Sequence, residues 1–175
     1  MRLARPLALL LIAGALAAAT RQWIDVPFVR QEREGCGSAA ASMVMRHWMV
    51  NGARVDPDAA DAAAIQRALH SSSAKGIYAS SLRRYFERHG FTVHLVHGEM
   101  EDLQHHVARG RPLIACLEPR RGDLHYVVVV GIDQDKDEVI VHDPARGSFL
   151  REKGAGFRER WKATGNWTLL AVPTP

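Results

Sequence analysis

One cysteine, one histidine and one aspartate stand where each could serve acyl transfer. Cys36 lies between Gly35 and Gly37 in "VRQEREGCGSAAASMVMRHW", residues 29–48. A thiol is a good nucleophile only as thiolate, and a free one titrates near about pH 8.5, so a catalytic cysteine needs surroundings that favour the anion. From Ser38 onward the pattern is helical. Cys36 therefore falls at a helix start, where unsatisfied N–H groups carry partial positive charge. The two glycines are expected to leave the backbone there open to a substrate.

A thiolate nucleophile needs an imidazole to hold its proton and pass it to the leaving group. Of nine histidines, His125 has the best setting, because it opens the apolar run "HYVVVVGID" that a core sheet would bury. Asp143, in "VHDPARG", ends a second run joined to the first by a polar turn. That hairpin returns the chain to the His125 end, so Asp143 can orient the ring. Gln31, five residues before Cys36, can help the Cys36 backbone N–H bind the developing oxyanion.

Competing readings exist for each residue. Cys36 and Cys116 could form a disulfide in an oxidising compartment, or Cys116 could be a small buried hydrophobe. Asp143 could belong to an ordinary Asp-Pro turn, and Gln31 to an exposed charged loop. His142 should point away from Asp143 if the strand continues, which disfavours it as the base. His94, His97, His105 and His106 could suggest a metal, but surface histidines are the simpler account, and neither metal nor cofactor is expected. The methionines and Trp48 beside Cys36 read as core, and Tyr126 and Trp167 as packing residues by the cleft.

Several elements must position this set. Residues 38–49 form a helix that is apolar nearly all round, which belongs at the centre of a domain. Further helices are expected over 56–70, with Pro57 near its start, over 80–90, capped by serine, and over 100–110. Residues 23–29 form an extended lead-in, and strands are expected at 91–97, 112–118, 124–133, 138–143 and 166–173. With helices first and strands last, the expected class is α+β: a helical N-terminal lobe and a C-terminal antiparallel sheet.

The first twenty residues, "MRLARPLALLLIAGALAAAT", have a basic start, a short apolar run and small residues at 17–19. This is the pattern of a signal peptide, with cleavage expected after Ala19 and a single domain over 20–175. The apolar run is too short for a stable span, which takes roughly 20 residues, so no membrane span is expected after cleavage. Loss of Arg2 and Arg5 leaves 21 of the 23 basic residues against 19 acidic ones. That near balance, without basic runs interleaved with aromatics, argues against a nucleic-acid partner.

Taken together, "VPFVRQEREGCGSAAASMVM", "LHYVVVVGID" and "VIVHDPARG" resemble the bacteriocin-processing peptidases. These are papain-like cysteine peptidases, also found fused to exporters, that cleave double-glycine leader peptides. The resemblance runs over roughly residues 26–173 and implies a two-lobed papain-like fold. By it, Cys36 matches the nucleophile, His125 the general base, Asp143 its orienting residue and Gln31 the oxyanion glutamine. In exporter-fused members that glutamine usually lies six residues before the cysteine and an acidic residue directly precedes it; here the spacing is five and Gly35 takes that place. No GxxxxGK[ST] motif occurs, so the expectation is a free-standing, exported relative acting on a peptide or protein substrate. Cleavage after small residues such as Gly-Gly would fit. Acyl or amide transfer, and a silent peptide-binding domain, stand as the alternatives; the oligomeric state is left open.

Overall fold

A computed structural model describes residues 21–175, and the expected signal peptide lies outside the described residues. The chain runs β1 (Arg21–Trp23), α1 (Cys36–Val50), α2 (Ala62–Leu69), α3 (Ala79–Arg88), β2 (Phe91–His97) and α4 (Met100–Val107). It continues through β3 (Leu113–Arg120), β4 (Asp123–Asp133), β5 (Glu138–Asp143), β6 (Gly147–Lys153), α5 (Gly154–Lys162) and β7 (Trp167–Pro173). This is the α+β arrangement that the pattern predicts. The sheet order is β2-β7-β3-β4-β5-β6, with β1 added at the far end of β4, and every pairing is antiparallel.

Burial shows where the core sits. Residues 113–117 of β3 and 126–133 of β4 are buried one after another, so helices cover both faces of the central strands. The outer strands β2 and β6 stay largely exposed, as edges do. Among the helices α1 is the deepest: Ala40, Ala41, Met43 and Met45 are all fully buried. Burying each methionine contributes about 1.5–3 kcal/mol.

Two side chains fix the far end of α1. Trp48 Nε1 donates to the Ala171 carbonyl of β7 at 2.9 Å, and the buried His47 ring meets the Gly110 carbonyl through Nε2 at 2.9 Å. At the near end, Gly37 explains how closely helix and sheet approach. A Cβ there would lie 3.1 Å from Ile77 Cβ and 3.4 Å from Tyr126 Cδ2. Gly35 and Gly37 are both buried, which corrects the expectation that they bare the backbone to a substrate. Gly37 is small because β4 and the segment before α3 press against it, and Gly35 because the Glu32 backbone does.

Other departures have local causes. The helix expected from residue 56 begins at Ala62, because the preceding carbonyls are taken by tertiary partners. Ser42 Oγ donates to Ala60 at 2.6 Å and Tyr85 Oη to Ala59 at 2.9 Å, and Asp61 then caps the helix through Ala64 N–H. The serine cap expected for the next helix is absent: α3 starts at Ala79 behind Tyr78, with no side-chain cap. Strand β6 and helix α5 are additions. Gly154 and Gly156 weaken the helical signal of α5, yet Phe157 and Trp161, one turn apart, are both fully buried.

Candidate active site

Cys36 is the first residue of α1, with Gly35 as its N-cap and no acidic residue in the first turn. The loop that delivers it is fastened on two sides. Toward the sheet, Gln31 N–H donates to the Pro144 carbonyl at 3.0 Å and Arg30 Nη1 to the Ala145 carbonyl at 3.3 Å. Toward α2, the Glu34 carboxylate meets His70 Nε2 at 2.8 Å, and Gln66 Nε2 donates to the Glu34 carbonyl at 3.4 Å. Glu34 sits at φ 56°, a left-handed conformation uncommon outside glycine, and the turn closes through Gly35 N–H onto the Glu32 carbonyl at 3.0 Å. The cysteine loop is thus tied directly to the turn that follows Asp143.

The structure brings His125 and Asp143 together. The β4–β5 register pairs Val128 with His142, leaving Asp143 beside the start of β4. His125 Nε2–H donates to Asp143 Oδ1 at 2.8 Å, and the same oxygen accepts Ala145 N–H at 2.9 Å. Occupation of Nε2 leaves Nδ1 to face Cys36, with which the ring is hydrogen-bonded. His142, on the other face, is fully buried and spent at both nitrogens: Nε2–H donates to the Val26 carbonyl at 2.9 Å and Nδ1 accepts Phe149 N–H at 3.0 Å.

Electrostatics follow from these contacts. Burial by itself pushes the Cys36 thiol up. Against it stand the His125 hydrogen bond, the Tyr126 backbone N–H, the His125 charge and the Gly37 N–H, and the net direction is down. Burial likewise opposes the His125 cation, yet Asp143 and then Cys36 raise the ring to about 9. Burial works against the Asp143 anion too, and the bond and charge of His125 still hold its carboxyl below the usual range. The three groups favour a thiolate, an imidazolium and a carboxylate in a row.

Both cysteines are free thiols. Cys116 is buried in β3 opposite Tyr126, and burial, then the neighbouring Cys36 charge, push it up to about 12. Gln31 lies half-buried beside this loop, its Oε1 turned inward without a partner. That leaves Nε2 as the end of the amide able to serve an oxyanion. His94, His97 and His105 are exposed, and no group of three or more His, Cys, Asp or Glu among the described residues could hold a metal ion.

Sequence reasoning missed three contributors: Glu34 with His70, the Pro144 and Ala145 carbonyls, and the Tyr126 N–H. Backbone roles leave no side-chain signature. The Glu34–His70 pair joins residues 36 apart in sequence, with no local pattern to mark it. Tyr126 also packs as expected, its ring 5.6 Å from that of Trp167. No helix among the described residues is long and apolar enough to cross a membrane.

Comparisons place this fold among known proteins. A family model described as the Peptidase_C39 like family matches residues 23–169. Among solved structures, the peptidase domain of Streptococcus ComA, a bifunctional ABC transporter, aligns with TM-score 0.67 at 21% identity, covering 84% of this chain and 98% of that one. A putative C39-like peptidase from Bacillus anthracis aligns with TM-score 0.67 at 18% identity, covering 87% and 97%. A double glycine motif protease from an AMS/PCAT transporter, in complex with its leader peptide, gives 0.64 at 20% identity, covering 87% and 95%. These likenesses carry the fold. A search of curated proteins finds no match.

Proposed function

The chain belongs to the Peptidase_C39 like family, and from that membership we propose that it is a cysteine peptidase working through Cys36, His125 and Asp143. The observation that carries this is the fastening of Cys36, at a helix start, against a His125 that Asp143 holds at 2.8 Å. In the proposed cycle the Cys36 thiolate attacks a peptide carbonyl, and the oxyanion is met by the Cys36 N–H and the Gln31 amide. The His125 imidazolium gives its proton from Nδ1 to the leaving amine, forming a thioester. Water, deprotonated at the same nitrogen, then releases the acid and restores the thiolate beside the imidazolium.

The substrate we propose is a peptide cut after small residues such as Gly-Gly. A leader peptide bound to the double glycine motif protease supports peptide recognition by this fold. On the same footing we propose that the chain acts after export, a reading carried by the pattern of residues 1–19. The test is incubation of the mature protein with a peptide containing one Gly-Gly, with and without an added amine, followed by mass spectrometry. Free acid as the product supports hydrolysis; an amine adduct in its place assigns transfer.

Asp143 allows a finer test. Both of its hydrogen bonds fall on Oδ1, so an asparagine can keep them and lose only the charge. Asp143→Asn should lower kcat/KM less than His125→Ala, which should lower it by at least about 10³-fold because it deletes the proton carrier. A larger loss for Asp143→Asn would mean that the aspartate does more than orient and stabilise the ring.

A further inference from the structure

Beside the cysteine loop lies a cavity of about 400 Å³ between the 29–35 segment, α1 and α2. It borders the loop that carries Cys36, sharing Gln31 with the proposed catalytic machinery and Gly35 with the cap of α1. Gln31 and Gln66 line it from opposite sides, and the Oε1 of each is a buried acceptor with no hydrogen-bond partner. Leaving such an acceptor unpaired is unfavourable, and two beside one cavity call for a donor. The terminal torsion of a glutamine is broad and roughly two-fold, so a small turn of either amide presents its oxygen to a group that enters.

The charged residues around the cavity select among donors. Arg30, Arg46 and Arg67 outnumber Glu32 and Asp61, which disfavours a lysine or arginine. Arg30 is engaged by the Ala145 carbonyl, and Arg46 by the Ala60 carbonyl and Asp61. Arg67 has no partner among the described residues, so it can donate to a carbonyl oxygen. The two amide oxygens and the Arg67 guanidinium match a neutral group that gives two N–H bonds and accepts at its carbonyl. We propose that this cavity is a substrate subsite for a primary carboxamide, the side chain of glutamine or asparagine; the proposal rests on the peptidase reading above.

The test uses Cys36→Ala protein and dye-labelled decapeptides of alanine around a central Gly-Gly, with one glutamine walked along the peptide. Binding is read by fluorescence anisotropy. One register should bind about ten-fold tighter than the alanine parent, and norleucine or lysine there should lose that gain. In Gln66→Leu the glutamine-over-norleucine ratio should fall to about one. Gln66→Glu, which keeps the acceptor and adds a charge, should move the preference toward lysine, so the proposal stays testable if the leucine variant folds poorly. No favoured register, an equal gain for lysine, or a ratio untouched by both variants overturns the subsite. Cleavage of the same peptides by unaltered protein is scored separately. Cleavage without glutamine preference removes the subsite and keeps the peptidase; glutamine-selective binding without cleavage does the reverse.

Discussion

Cys36→Ala is expected to abolish turnover, with kcat/KM falling by about 10⁴-fold or more while the fold survives. The loss is large because the thioester route has no substitute nucleophile nearby. Cys116 is buried and its thiol is held up near about 12. The fold should survive because Cys36 opens α1, where alanine is a good helix former. Its loop is held by Gln31, Glu34 and Gly35 contacts that do not involve the sulfur. The measurement pairs kcat/KM on a Gly-Gly peptide with a thermal melt followed by circular dichroism. A melting temperature within a few degrees of the parent and no turnover fit the mechanism. Turnover within ten-fold of the parent would remove Cys36 from the chemistry.

Much of this was legible in the sequence, and the legible parts share a cause. Helix α1 announces itself because a run of alanine, methionine and valine with almost no charge belongs at the centre of a domain. The β4–β5 hairpin is readable because two apolar runs joined by a polar turn have one economical pairing. Together these place Cys36, His125 and Asp143 at adjoining ends of elements. What the sequence hides is the stitching. Ala59 and Ala60 look like helix, yet the Tyr85 and Ser42 hydroxyls, distant in sequence, claim their carbonyls. Gly37 looks like an opening for substrate and is a close approach to Ile77 and Tyr126. The meaning of a glycine depends on its neighbour in space, which spacing along the chain does not state.

The second large effect is on the reactivity of Cys36 with pH, where sequence and structure lead to the same experiment. An ordinary thiol at pH 6 is about 0.3% thiolate, since it titrates near about 8.5. In this protein the Cys36 thiol is held low by His125 and two backbone N–H groups, and His125 is held up near about 9 by Asp143 and Cys36. Between those two titrations the pair is thiolate and imidazolium. Alkylation of Cys36 by iodoacetamide should therefore persist below the ordinary thiol range, and change again as pH passes about 9 and the ring loses its proton. Peptide turnover should fall on that same basic side, because the leaving amine then finds no proton on Nδ1. His125→Ala removes the main influence opposing burial. What remains is burial, which pushes the thiol up, against the Tyr126 and Gly37 N–H groups, so the variant should titrate higher than the parent and its alkylation at pH 6 should drop. Mass spectrometry of the Cys36 peptide makes the reading clean, because Cys116 stays protonated throughout this range. A Cys36 that reacts alike in both proteins, rising once near pH 8.5, would leave an unpaired thiol and take away the base; one that reacts only after a reductant is added would make it half of a disulfide.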